Sequence, residues 1–342
     1  MKSDMTYLKI RSSRPFFNFF YRKIFVFYGK TFLWACWRIV FLPFSLVYLI
    51  FIYLKKIFKS YKIFKPQIIS VGNIELGGTG KTPLIIFLTN SLKTRFRSIV
   101  VVSYGEKIKD EPILLSENLP GIKIFSGKNK RKIIETIDEK YNPDLILIDD
   151  GFNYFDIKKT DIVILDPFLH FDLVLPAGLK RLPYAFLKYS DTIVINHSEF
   201  LNEEQKEKIR EKYSRYKKPV YFSRYNLVNF IDVKNSVHPL SIIKNKNILL
   251  FCGLGKPWYF LKNVKSLKPG HIFFTFYPDH FNYTEFDIQQ LEIIIKEKNI
   301  DIAITTEKDL IKIKKFSVSF SVYALNIQIS FEKEFEVFHK KI

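Results

Sequence analysis

The sequence predicts an α/β protein, with doubly wound parallel sheets in two units behind an apolar amino-terminal helix. Three observations carry this. From Gln67 onward, short runs rich in Ile and Val, each ended by polar turn residues, alternate with helical patterns. Strands buried on both faces of a parallel sheet read this way. A glycine-rich loop joins the first of these strands to the next helix, and Ile39–Leu54 runs sixteen residues without a charge.

A length of 342 residues suits two α/β domains with some extra, and 47% hydrophobic content is enough to build cores and excludes a disordered chain. The net charge is +20, and residues 1–65 carry thirteen Lys or Arg against one acid, Asp4, a balance of +12. Basic residues beside an apolar run suit an anionic membrane surface. No nucleic-acid motif accompanies the charge, so no nucleic-acid partner is expected. The two cysteines, Cys36 and Cys252, form no CxxC, and a reducing compartment is the expectation.

The apolar run is borderline for a spanning helix, which needs roughly 20 residues. Trp34–Trp37 extend it past Arg38, and Pro43 is expected to kink it. Lys55, Lys56, Lys59 and Lys62 follow, which assigns that end to the cytoplasmic side. The run starts too late for a signal peptide, and no small-residue cleavage site follows. A membrane helix, inserted or lying in the interface, is the reading; a buried core helix is the alternative.

Strands are predicted at Gln67–Val71, Ser98–Val102, Leu145–Ile148, Ile162–Leu165 and Thr192–Ile195, with a charged helix over Leu201–Lys217. Near Tyr221–Asp232 the chain is expected to cross to a second unit, with strands at Ile248–Cys252, Ile272–Phe276 and Ile302–Thr305. The expected organisation is a membrane-anchoring segment (1–65), a phosphate-loop domain (66–225) and a smaller α/β domain (226–342).

After the strand at Ile68–Val71 the chain reads Gly77-Gly78-Thr79-Gly80-Lys81-Thr82. Glycines allow a sharp turn, so that successive N–H groups can converge on phosphate oxygens. Lys81 is positioned to reach the β- and γ-phosphates of a nucleotide, and the Thr82 hydroxyl to ligate Mg²⁺. Pro83 suits the first helical turn, whose positive end favours anions. Glu75 stands where the usual pattern has its first Gly, so this is the GGxGKT variant.

A second strand ends in Asp149-Asp150-Gly151. Carboxylates at the carboxyl end of a parallel strand beside the phosphate loop are suited to Mg²⁺. One Asp, with Asp149 as metal candidate, would hold the ion, and the other would orient it or the substrate. A turn-forming Asp-Gly is the plainer alternative.

The loop Val71–Pro83, then Asp110-Glu111-Pro112, Asp149-Asp150-Gly151-Phe152 and Leu175-Pro176-Ala177-Gly178 with Arg181, follow one another in an order that resembles the tetraacyldisaccharide 4′-kinase family. Gly253-Leu254-Gly255, Pro278-Asp279-His280 and Thr306-Glu307-Lys308-Asp309 continue it, from about Leu42 to Lys312. The resemblance implies two Rossmann-like α/β/α lobes of P-loop NTPase type and a membrane-associated amino-terminal helix. It implies ATP and Mg²⁺ as co-substrates. The acceptor it implies is a lipid A precursor, a tetraacylated glucosamine disaccharide 1-phosphate, at the cytoplasmic face of a Gram-negative inner membrane. It makes Asp110 the catalytic base, paired with His280, and puts Tyr104 and Arg181 on the substrate side. Taken alone, Asp110 reads as a solvated loop acid and His280 as a surface or capping residue.

The chain departs from the family pattern at several points. Only five residues separate Gly105 from Glu111, so an Arg-Gly pair and much of a loop are missing. The family's Gln-His after Asp-Asp-Gly-Phe reads Asn153-Tyr154, and its Leu-Arg-Glu-Pro reads Lys180-Arg181-Leu182-Pro183. A family Arg near residues 126–131 has Lys128, Lys130 or Arg131 as candidate replacements. Thr305–Asp309 is a further candidate for holding nucleotide. Two rival readings are a guanine-nucleotide switch or metallochaperone on the same loop, and a non-catalytic nucleotide-binding membrane protein. The first needs Asn-Lys-x-Asp; Asn196-His197-Ser198 follows a strand but lacks the Lys and the Asp.

Overall fold

The computed structural model describes residues 5–8, 32–58, 60–105, 110–168 and 173–332. Two compact units emerge, one gathering residues 35–225 with 329–332 and the other residues 226–328 with the chain's first strand, β1 (Met5–Tyr7).

The larger unit opens with helix α1 (Phe32–Ile57), which continues through Pro43. A parallel sheet follows, built from β2 (Gln67–Gly72), β3 (Ile99–Tyr104), β4 (Lys123–Gly127), β5 (Leu145–Asp149), β6 (Thr160–Leu165), β7 (Thr192–Ile195) and the start of β8 (Val220–Asp232). Its spatial order is β8-β7-β6-β2-β5-β3-β4. The strands of this sheet from β2 to β7 were predicted within two residues, except β4. That strand, KIFSG, is only partly buried at the sheet edge, so it lacks the continuous apolar run that marks its neighbours. Strand β2 is flanked by β5 and β6, which come much later in the chain. Val71 lies opposite Asp149, so the loop after β2 and the acids after β5 open at the same end of the sheet. In open α/β sheets ligands bind in this crevice.

Helices α2 (Lys81–Leu92), α3 (Asp110–Asn118), α4 (Lys130–Lys140) and α5 (Glu203–Ser214) cover the strands. The α5 start is set by a capping box, Asn202 with Gln205, inside the span predicted from Leu201. One apolar layer joins Ile52 of α1, Phe152, Phe186, Ile193 and Phe222. Another joins Ile134 and Ile137 of α4 to Val100, Val102, Ile146 and Ile148. Each fully buried aliphatic side chain contributes about 2 kcal/mol.

Helix α1 packs on this unit by one stripe. Trp37, Ser45, Tyr48 and Ile52 fall at near-helical spacing; Ser45 and Ile52 are buried, and Trp37 and Tyr48 hydrogen-bond into the unit. Ile39, Val47, Phe51 and Ile57 are more than 60% exposed on the remaining surface. Residues 35–57 are long and apolar enough to cross a membrane.

In the second unit β1, β10 (Asn247–Cys252), β11 (His271–Phe276), β12 (Ile302–Thr306) and β13 (Val322–Phe331) run parallel in the order β1-β11-β10-β12-β13. A short β9 (Val237–His238) pairs antiparallel with the end of β8. Helix α6 (Pro257–Ser266) fills one face with Phe260, Leu261 and Val264. The other face takes Ile288 and Leu291 of α7 (Glu285–Glu297) and Leu310 and Ile313 of α8 (Glu307–Ile313). This unit is an α/β/α layer with its own core. The region 221–232, expected as a crossing, is strand β8, and the division between units falls within it.

Candidate active site

The phosphate loop leaves β2 through Asn73 and Ile74, both buried, and ends where Lys81 opens α2. Gly80 has φ 95°, the left-handed region that favours glycine. A Cβ there would also collide with the Tyr225 hydroxyl and the Asn196 amide, so the position is closed to side chains on two independent grounds. The loop is pinned inside by a bond from Asn73 Nδ2 to Thr79 Oγ1 at 3.0 Å. The first turn of α2 carries no acid to compete for its N–H groups.

Across from it, the Thr82 hydroxyl donates to Asp149 Oδ2 at 3.3 Å. Asp149 Oδ1 is buried without a hydrogen-bond partner among the described residues. Burial pushes this carboxyl well above its usual range, and the Glu111 carboxylate adds to the effect against Lys81 and Lys130. An orphaned carboxylate oxygen beside a loop Thr hydroxyl is a donor set that fits Mg²⁺.

Asp150 lies differently. Its Oδ1 is 3.6 Å from Lys81 Nζ, and its Oδ2 accepts from Arg181 Nη1 at 2.7 Å. Burial opposes its ionisation, but Lys81, Arg181 and Lys130 outweigh this and hold the carboxyl at about 2. The two acids thus have separate environments, one starved of partners and one between cations.

Behind both lies Lys130, 1% exposed. Its ammonium donates to the main-chain oxygens of Asp149 and Asp150. The rings of Tyr104 and Tyr154 lie 5.8 and 5.2 Å from it. Burial lowers Lys130 to about 8, against the pull of Asp150 and Asp149.

Arg181 is delivered by the strap 173–182. Its N–H bonds Ile74 O at 2.8 Å, and Leu76 N bonds Leu179 O at 2.8 Å, so the strap runs along the phosphate loop's approach. Helix α1 holds the other side. Trp37 Nε1 donates to Pro176 O at 2.9 Å and Tyr48 OH to Arg181 O at 3.1 Å. Ser45 Oγ both donates to Val174 O and accepts from Ala177 N, each at 2.9 Å. Ser45 and Tyr48 of the apolar run are therefore spent on this strap.

The family model for tetraacyldisaccharide-1-P 4′-kinase matches residues 37–342. The chain belongs to this family. A tetraacyldisaccharide 4′-kinase of Halothermothrix orenii is 29% identical over 333 residues, covering 83% of this chain and 86% of the relative. One from Aquifex aeolicus is 28% identical over 319 residues, covering 86% and 94%. A crystal structure of LpxK from Aquifex aeolicus in complex with ATP superposes with TM-score 0.68 at 27% identity, over 89% of this chain and 97% of that one. A tetraacyldisaccharide 4′-kinase is a phosphotransferase, and the α/β fold predicted for one is the fold observed.

The family's departures in this chain now have locations. Of the three candidates to replace the family Arg, Lys130 reaches the acid pair, whereas Arg131 turns to Glu135 and Asp156. Tyr154, where the family has His, keeps its ring beside Lys130; burial, then the Asp150 charge, raise its phenol. Leu182, where the family has Glu, is buried in the apolar layer around Phe186. Lys180 is also buried, its backbone opposite Glu75 in an isolated β-bridge and its ammonium 3.6 Å from the centre of the Tyr184 ring. Tyr104 stands half-exposed at the end of β3. Asn196, weighed as a guanine reader, has its carboxamide bound to Thr79 O and Tyr225 OH.

Asp110 begins α3, and its side chain lies outside the described residues, as do residues 106–109 of the shortened loop. His280 belongs to the second unit, half-exposed with φ 56°. Its Nε2 is 3.4 Å from Lys308 Nζ and 3.9 Å from Asp279 Oδ1. In Thr305–Asp309, Thr306 caps α8 by accepting from Asp309 N, and the Asp309 carboxylate accepts from Gly253 N at 3.0 Å. Sequence reasoning gave Glu111 no role of its own, weighed Asn196 only as a guanine reader, and left Lys130 as one of three. Lys130 had a signal, since Lys130, Ile134 and Ile137 share one buried face at spacings of four and three.

Proposed function

We propose that the protein transfers the γ-phosphate of ATP to the 4′-hydroxyl of a tetraacylated glucosamine disaccharide 1-phosphate in lipid A synthesis. The observation that carries this is the Asp150 carboxylate, which joins Lys81 of the phosphate loop to Arg181 of the strap. A donor-side and an acceptor-side cation on one carboxylate frame a single transfer site. The ATP complex of the Aquifex aeolicus relative supports ATP as donor.

In this reading the amides of Gly77–Lys81 and the Lys81 ammonium hold the ATP phosphates. Thr82 and Asp149 would hold Mg²⁺, which when bound neutralises charge on the phosphate oxygens. Asp110 takes the proton of the 4′-hydroxyl as its oxygen bonds the γ-phosphorus and the bond to the ADP oxygen breaks. The family resemblance gives His280 the part of orienting this base. Arg181, held by Tyr48 and Ile74, balances charge on the acceptor side, and Tyr104 lines that side. Most of the acceleration comes from positioning and charge neutralisation.

The exposed apolar face of α1, with Lys55 and Lys56 in its last turn, supports seating in a bilayer with the catalytic unit cytosolic. The acceptor then reaches Arg181 from the cytoplasmic leaflet of a Gram-negative inner membrane. The test is ³²P transfer from labelled ATP to the disaccharide in detergent. Labelled lipid should form with the parent protein and not with Lys81→Ala; no labelled lipid with either rejects the reading.

A further inference from the structure

We propose that Asn196 is a positioning residue for the phosphate loop, locked in its role by Ser223 and Tyr225. The inference rests on the reading of this loop as the ATP site, and it concerns how the loop is kept in its binding shape.

Asn196 directly follows β7, two strands away from the loop's own strand, and is fully buried. One amide hydrogen goes to Thr79 O at 2.9 Å and the other to Tyr225 OH at 2.9 Å. Its Oδ1 accepts from Ser223 Oγ at 3.1 Å. The Thr79 carbonyl, which can only accept, fixes which end of the carboxamide is nitrogen, because a flipped amide would turn its oxygen onto that carbonyl; the Ser223 hydroxyl then donates to Oδ1.

The consequence follows from the planar trans peptide. Fixing Thr79 O against Asn196 turns the Gly80 N–H to the other side, away from Asn196. Released, the Thr79–Gly80 peptide can rotate and present an oxygen, instead of a hydrogen, to an anion. Gly80 adds the left-handed turn such a loop requires, and Asn196 with Tyr225 occupies the space behind it. Asn73 holds the Thr79 side chain, so this residue is gripped at both its hydroxyl and its carbonyl.

A purely structural role would lower stability without favouring one substrate. A positioning role acts on the nucleotide. Asn196→Asp keeps the shape but removes the donor, and should raise KM for ATP about tenfold while acceptor KM stays within twofold. Ser223→Ala and Tyr225→Phe keep the bond to Thr79 but loosen the carboxamide, and each should raise KM for ATP about threefold. Adding Tyr225→Phe to Asn196→Asp should cost nothing further, because both act through one path. If Asn196→Asp does not fold, the Ser223 and Tyr225 variants decide. Calorimetric binding of Mg·ATP to the full chain reads the same effect without any acceptor, so failure here is separate from failure of the acceptor assignment. An ATP affinity within twofold of the parent in every folded variant, or equal rises in both KM values, overturns the proposal.

Discussion

Arg181 Nη1 donates to Asp150 Oδ2 at 2.7 Å, and the other oxygen of that carboxylate faces Lys81 Nζ at 3.6 Å. Each carboxylate oxygen therefore serves one cation. Removing Arg181 should affect the acceptor more than the nucleotide. Arg181→Ala is expected to lower kcat/KM for the lipid about 10- to 100-fold, the worth of a charge-assisted hydrogen bond. KM for ATP should move by less than threefold. Steady-state kinetics with each substrate varied in turn checks this.

Lys130 should matter to both folding and turnover. Lys130→Met leaves the Asp149 and Asp150 carbonyls buried without their donor, at a cost of about 3 kcal/mol. Urea unfolding should show a lower midpoint with an unchanged slope. Activity should fall at least tenfold in variant protein that is still folded, because both carboxylates are then set on an unsupported backbone.

In the proposed reaction, proton transfer is a separate step from nucleotide binding. Asp110→Ala should abolish turnover while Mg·ATP affinity, read by calorimetry, stays within twofold. His280→Ala should keep a residual rate, about 10- to 100-fold below the parent, since it removes the orienter and leaves the base. Normal turnover of Asp110→Ala would show that another group takes the proton.

The proposed membrane seating rests on the outer face of α1. Val47 and Phe51 are 67% and 61% exposed there. Replacing both with Glu forfeits about 4 kcal/mol of apolar burial and adds charge that an anionic leaflet repels. Flotation with phosphatidylglycerol-containing vesicles should recover the parent with the lipid and leave the variant in solution. Affinity for Mg·ATP should be the same in both.

The sequence made some parts of this molecule plain and hid others, for physical reasons. The strands Leu145–Asp149 and Thr192–Ile195 were legible because strands buried on both faces must be apolar throughout. Gly80, Lys81 and Thr82 were legible because a turn, a cation and a hydroxyl rarely meet at this spacing, after a strand and before a helix, except to hold a phosphate. Lys130 was obscured by its neighbours in KNKRK, which read as a solvated face until tertiary packing selects one of them for the interior. Ser45 and Tyr48 looked like ordinary members of an apolar helix; their partners lie more than 120 residues away. Strand β1 is three residues long and finds its partner at Ile272–Phe274, a pairing no local pattern encodes.

The measurement closest to the central claim is the ³¹P spectrum of the disaccharide 1-phosphate after incubation with Mg·ATP and the protein in micelles. The account predicts a second phosphomonoester signal, coupled to the proton at the 4′ carbon and growing in step with ADP. ADP formed with no new phosphomonoester, or a phosphate attached elsewhere on the sugar, would contradict it.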